Sequence, residues 1–295
     1  MIAITGASGA FGQRVLHHLT TTLGVPAARI VAGTRDPSKL AAWAERGVTV
    51  RALDFEQPAT LASAFSGVER ALLISTDALD RPGRRLAQHQ AAVDALVRAG
   101  VQHATYLSMP LPDGSPILLA PDHLGTEQAL AASALPGWTV LRNHWYFENL
   151  PLFMAGALAT GTWYAADGGQ ASADVSRDDL ARAAATVLAG DETGRRTVTL
   201  SGPEALTKVQ IAARVSAAIG RPIQVVQVPL EGLVQGMVAA GLPEPLARVY
   251  ASFDTNTALG RVAEVTRDLQ RITGVAPQSF DGWLTQHQSA FTARS

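Results

Sequence analysis

Met1-Ile2-Ala3-Ile4-Thr5-Gly6-Ala7-Ser8-Gly9-Ala10-Phe11-Gly12 opens the chain. The apolar run reads as a short strand. The glycine-rich stretch reads as a turn into a helix that carries Phe11, Val15, Leu16 and Leu19 on one face. A turn of this kind presents backbone N–H groups and a helix N-terminus to an anion, the arrangement that holds the pyrophosphate of a dinucleotide. Gly6 makes the tight turn, Gly9 lets the backbone approach the phosphates, and Gly12 lets the helix pack closely. Thr5, Gly6, Ser8, Gly9, Ala10, Phe11 and Gly12 are therefore the candidate residues around the cofactor. Glycine-rich turns also end ordinary strands, so the surrounding sequence has to carry the reading.

It does so by alternation. Further apolar runs at Ile30 to Gly33, Val48 to Ala52, Arg70 to Ile74, Ala104 to Ser108 and Thr139 to Arg142 are separated by helical stretches, among them Pro58 to Phe65 and Gln88 to Ala99, the latter stopped by Gly100. Strands alternating with helices imply right-handed crossovers and a parallel sheet covered on both faces. The expected fold is α/β, a Rossmann-like doubly wound sheet over residues 1–150 with a smaller C-terminal α/β substrate lobe over 151–295. In that second part Leu150 to Leu158, Arg177 to Ala189 and Thr207 to Ile219 read as helices, the second packing back on the main sheet. Gly161 to Tyr164, Thr197 to Leu200 and Ile223 to Val228 read as strands of the second half.

Composition removes several function classes. A net charge of −1 with no basic block leaves no nucleic-acid footprint, and Arg81-Pro82-Gly83-Arg84-Arg85 reads as a solvated loop leading into a helix. The absence of cysteine excludes disulfides, thiol catalysis and thiolate metal sites, and the seven histidines lack paired ligand spacing, so no metal is expected. Apolar runs are too short to cross a bilayer, and no membrane association is expected. A cleaved leader would take the phosphate-binding turn with it; the expected compartment is the cytoplasm.

The second strand ends Gly33-Thr34-Arg35, with Lys39 four residues on. A cation at this point accommodates an adenosine 2′-phosphate, where an acidic residue would bond the 2′-hydroxyl, so Arg35 and Lys39 favour NADP(H). Two surface cations with Asp36 beside them are the alternative. Asp54 at the end of the third strand either accepts from the adenine or caps the next helix.

Together with the opening turn, the strings Thr34-Arg-Asp-Pro-Ser-Lys39, Leu72-Leu-Ile-Ser75, His123-Leu-Gly-Thr-Glu127 and Leu141-Arg-Asn-His-Trp-Tyr-Phe-Glu-Asn149 resemble the NmrA-like branch of the atypical short-chain dehydrogenase/reductases. The likeness is greatest to bacterial members that reduce quinones or triphenylmethane dyes with NADPH. It implies a nicotinamide near Ser75, Ser108 and Asn143, and a substrate facing Trp145 and Tyr146. That aromatic pair could alternatively plug the junction between lobes.

Short-chain dehydrogenases use a Tyr-x-x-x-Lys pair for the substrate proton. Here His123 and Glu127 stand at that spacing, either as an acid and its partner or as partly exposed helix residues. Without the pair, ketone reduction would leave a strongly basic alkoxide. A quinone gives a phenol-like anion of pKa ~10, and a cationic dye gives a neutral product. The expected activity is NADPH-dependent reduction of a small conjugated acceptor, with Asn143, Tyr146 and His123 as candidate catalytic side chains and a homodimer as the accommodated assembly. The competing class is a non-enzymatic redox sensor that binds NADP(H).

Overall fold

A computed structural model describes residues 1–78 and 80–292; the last three residues of the expected second lobe lie outside them. The first half alternates β1 (Ile2–Ile4), α1 (Ala10–His17), β2 (Ile30–Thr34), α2 (Ala41–Glu45), β3 (Thr49–Ala52), α3 (Pro58–Phe65), β4 (Arg70–Leu73), α4 (Arg84–Arg98), β5 (His103–Ser108), α5 (Ala120–Ala132) and β6 (Gly137–Asn143). These strands, joined by β9 (Arg195–Leu200), form a seven-stranded sheet ordered β3-β2-β1-β4-β5-β6-β9, with every neighbouring pair parallel. The strand order reverses between β1 and β4, and ligands of such sheets lie outside the carboxyl ends at that point.

Alternation along the strands divides the core. Ile2, Ile4, Leu72, Leu107 and Leu141 pack with Val15 and Leu16 of α1 on one face. Ala3, Ala71, Tyr106 and Val140 pack with Leu61, Phe65, Val93, Leu96 and Leu130 of α3, α4 and α5 on the other. Complete burial of Val15 and Leu16 contributes about 1.5–3 kcal/mol each.

Beyond Asn143 come α6 (Leu150–Phe153), α7 (Ala155–Thr160), β7 (Thr162–Ala165), β8 (Ala171–Ser172), α8 (Arg177–Ala189), then β9, β10 (Leu206–Thr207), α9 (Lys208–Ile219), β11 (Gln224–Gln227), α10 (Leu230–Ala239), α11 (Glu244–Ala258), α12 (Asp268–Thr273) and α13 (Phe280–His287). The strand expected at Thr197 to Leu200 within the second half is the seventh strand of the large sheet. It pairs with β6 through six register positions, burying the ladder of an otherwise open edge. α8 covers the α1 face, and the Arg70 guanidinium at the start of β4 donates to the carbonyls of Val187 and Leu188, orphan acceptors at the C-terminal end of α8, and to that of Glu192 in the loop beyond it. A separate apolar cluster with Phe147, Leu158, Trp163, Ile211, Phe280 and Trp283 builds the smaller lobe.

Two local expectations are corrected. The helix read at Leu150 to Leu158 divides at Met154, whose φ of −94° and ψ of 0° close one short helix before the next begins. The helix read from Gln88 starts at Arg84, after Gly83 at φ +77°, so Arg84 and Arg85 belong to its first turn. Arg85 is buried, not solvated.

An added Cβ at Gly156, on the exposed side of α7, meets nothing within 4 Å and faces no positive φ. Gly156→Ala is expected to stabilise the fold by about 0.5–1 kcal/mol, read as a raised midpoint in urea unfolding.

Candidate active site

The opening turn is built from close backbone approaches. Gly6 has φ +58°, and the Gly9 N–H donates to the Gly6 carbonyl at 3.0 Å. A Cβ at Gly12 would lie 2.5 Å from the Gly6 oxygen and 2.6 Å from the Ala7 Cα, so α1 abuts the turn itself. Among the described residues no side chain caps α1, and its first-turn N–H groups lack intrahelical acceptors. Thr5 Oγ1 accepts from the Ile74 N–H at 2.8 Å and ties the turn to the end of β4, while Ser8 and Thr34 share a hydroxyl bond of 2.9 Å that ties it to the end of β2.

At that second end Arg35 and Lys39 are exposed and, among the described residues, have no ion-pair partner. Asp36 is committed elsewhere. Its carboxylate accepts from the Ser38 N–H and hydroxyl, and the hydroxyl bond holds its pKa below the usual range. Asp54 forms a turn, accepting from the Glu56 N–H at 3.0 Å and from the Gln57 amide at 3.2 Å.

The glycine turn continues into an aromatic wall. The Phe11 ring lies 6.2 Å from Tyr146, Tyr146 stacks on Trp145, and Trp145 meets Phe253 of α11 at 4.4 Å and Phe153 of α6 at 5.6 Å. The Arg177 guanidinium lies 5.2 Å from the Tyr146 ring centre, and burial pushes the Tyr146 phenol upward, keeping it protonated. Asn143, the last residue of β6, is buried with both ends of its amide lacking a partner among the described residues. Phe153 and Phe253 escaped the sequence reading because they lie outside the quoted motifs, on helices brought to Trp145 by the second lobe.

On the α4–α5 face of the sheet, at the same carboxyl edge, lies a buried polar cluster. Arg85 Nε donates to the Thr76 carbonyl at 2.9 Å, and its Nη2 lies 3.0 Å from His123 Nε2. A guanidinium only donates, so His123 carries its proton on Nδ1 and gives it to Tyr106 Oη at 2.9 Å. The Thr76 N–H donates to His89 Nε2, and His89 Nδ1 then donates to Thr126. An acid at His123 requires an imidazolium; burial, with the Arg85 charge adding to it, drives the His123 pKa well below the ordinary value. The residue is thus a neutral, doubly bonded ring. Glu127 is half of a bidentate pair with Arg142, at 3.0 and 2.6 Å, and also accepts from Ser108 Oγ at 2.6 Å. Ser75 Oγ donates to the Leu107 carbonyl at 2.7 Å. The signal for this cluster was present: Arg85, His89, Ala92 and Leu96 follow the core-facing helical period, and two of those four are polar.

The profile of the NmrA-like family matches residues 1–284. The chain belongs to the NmrA-like family. It is 36% identical to quinone oxidoreductase 2 of Escherichia coli over 274 residues, 93% of this chain and 94% of that protein. The crystal structure of the NADPH-dependent quinone oxidoreductase of Escherichia coli with NADPH matches with TM-score 0.91 and 35% identity, covering 97% of this chain and 99% of that one. Triphenylmethane reductase of Citrobacter sp. with NADP(H) matches with TM-score 0.89 and 32% identity over the same shares. The NAD(P)H azoreductase of Xenophilus azovorans is 27% identical over 296 residues, 99% of this chain and all of that protein.

Besides His123, three further histidines of this NmrA-like chain are buried and held neutral: burial lowers the pKa of His89 to about 3 and those of His103 and His144 to about 4. Unfolded, each titrates near 6.5, so below that pH the unfolded chain binds protons that the fold refuses. The histidine contribution to stability is whole above pH 6.5 and is lost progressively as pH falls toward 4. At about 1.4 kcal/mol per pKa unit each costs roughly 3–5 kcal/mol at the acid limit. Cooperative unfolding is therefore expected between pH 6 and 4 in a circular-dichroism titration, while retention of the native signal at pH 3.5 would contradict the burial of these neutral rings.

Proposed function

We propose that this chain is a cytoplasmic reductase that takes hydride from NADPH and delivers it to quinones and related conjugated acceptors such as triphenylmethane dyes. The observation that carries the reading is the Phe11–Tyr146 contact, which joins an anion-binding turn directly to an aromatic wall. The residues fit a dinucleotide: Gly12 closes on the Gly6 oxygen with no room for a side chain, α1 is uncapped, and the Asn143 amide is buried without a partner among the described residues. Thr5, Gly6, Ser8, Gly9, Ala10, Phe11 and Gly12 would hold the phosphates, Arg35 and Lys39 the 2′-phosphate, and Ser75, Ser108 and Asn143 the nicotinamide end. Asp54 belongs to the turn before α3 in this assignment. When bound, NADPH supplies the hydride.

The protein's own work is orientation and exclusion of water. Trp145 and Tyr146 offer a flat apolar surface to a conjugated acceptor, with Phe253 behind it, so that stacking fixes the plane of the reducible ring. Asn143 Nδ2 and the protonated Tyr146 hydroxyl are the groups that can donate to an acceptor oxygen, and solvent completes protonation of a phenol-like product. His123 takes no part in proton transfer; it positions Tyr106 and Arg85. Residues 1–150, together with α8 and β9, form the cofactor part, and the remainder of the segment from 151 supplies the substrate lobe.

The test is absorbance at 340 nm with NADPH and, separately, NADH against benzoquinone, menadione and a triphenylmethane dye. Turnover with NADPH well above NADH is expected. Tight NADPH binding with no turnover across the panel would overturn the reading in favour of a cofactor-binding sensor.

A further inference from the structure

The direction of each hydrogen bond at the carboxyl edge follows from donor and acceptor chemistry. The Leu107 carbonyl can only accept, so the Ser75 hydroxyl proton points to it at 2.7 Å. Glu127, paired through both oxygens with the Arg142 guanidinium, likewise accepts the Ser108 proton at 2.6 Å. Ser108 is the last residue of β5, beside Arg142 in register on β6. It precedes Met109, a member of the small buried cluster with Ile117 and Ala120 against which Phe253 packs, and the Phe253 ring lies tilted on Trp145 at 4.4 Å. Both serines thus keep lone pairs and have no proton left to offer. A reductase of simple carbonyls needs the opposite polarity, a hydroxyl that donates to the developing oxyanion.

Resting on the reductase reading above, we infer that Glu127 sets acceptor specificity: it fixes Ser108 as a hydrogen-bond acceptor, selecting conjugated cationic or imine-like acceptors that carry N–H donors over equivalents that carry none. Glu127 is a positioning residue, acting through the Ser108 hydroxyl, and Arg142 grips its carboxylate in plane through two hydrogen bonds. One hydrogen bond to such a donor corresponds to about a tenfold preference.

The experiment compares kcat/KM for pararosaniline, which bears amino N–H groups, with crystal violet, its fully N-methylated counterpart, using NADPH-loaded enzyme. Wild type is expected to prefer pararosaniline. Ser108→Ala, which leaves the Glu127–Arg142 pair whole, and Glu127→Gln, which frees the hydroxyl to rotate, should each reduce the ratio of the two by about tenfold. Tm and NADPH affinity by fluorescence titration are recorded alongside. A loss of folding lowers both rates together and leaves the ratio intact, so a ratio unchanged in folded Ser108→Ala overturns the inference. Wild type that reduces neither dye nor any quinone defeats the reductase reading instead.

Discussion

Gly12→Ala is expected to weaken NADPH binding by about 10- to 100-fold. The added methyl would stand 2.5 Å from the Gly6 carbonyl oxygen and 2.6 Å from the Ala7 Cα. Both are backbone atoms of the turn, so neither can swing aside as a long side chain would. Relief must come from moving α1 away from the turn, and overpacking of this kind costs about 1–3 kcal/mol. Part of that cost is felt as lost stability, and part as misplacement of the N–H groups that a pyrophosphate requires. Gly156→Ala, which meets no neighbour, separates the effect of position from that of losing a glycine. Calorimetric titration with NADPH reads the result. An affinity within threefold of the parent, in a folded variant, would mean that the dinucleotide does not use this turn.

The second large effect is expected at Arg35. Glutamate there should raise the KM for NADPH by roughly 100-fold while changing that for NADH by less than about threefold, because a bidentate charge-assisted contact is replaced by repulsion of the 2′-phosphate. Arg35 is exposed, and among the described residues it has no ion-pair partner, so the substitution breaks nothing else in the fold. Asp36 does not contest the role, since its carboxylate is occupied by Ser38. Equal losses with both cofactors would remove Arg35 from phosphate recognition and leave Lys39 as the remaining cation at that end of β2.

These expectations differ in how far the sequence already carried them. The βαβ alternation, the glycine turn and the cation after the second strand are local patterns: each rests on residues within a few positions of one another, where backbone geometry and side-chain period are fixed by the chain itself. The parallel sheet and its cofactor edge could be read at that level. The seventh strand could not, because Thr197 to Leu200 has the same local character whether it pairs within a small lobe or beside β6. That choice is made by a ladder between residues more than fifty positions apart.

The substrate side divides in the same way. Trp145 and Tyr146 announced themselves in a distinctive string, yet the ring that completes their wall, Phe253, comes from α11 and is adjacent only in space. The reading of Arg84 and Arg85 as solvated failed for Arg85 because charge alone does not say which helical face a residue occupies. A buried guanidinium is tolerable only when the Thr76 carbonyl and His123 meet it there.

The sequence by itself determined the fold class, the phosphate-binding turn and the missing tyrosine–lysine relay, since these depend on residue identity and short spacing. Only the tertiary structure decided what replaced that relay. Whether His123 is a neutral link or an acid, and whether Ser108 gives or accepts a hydrogen bond, depends on Arg85, Tyr106, Glu127 and Arg142. Protonation and hydrogen-bond polarity are properties of an environment, and folding assembles that environment from four separate segments of the chain.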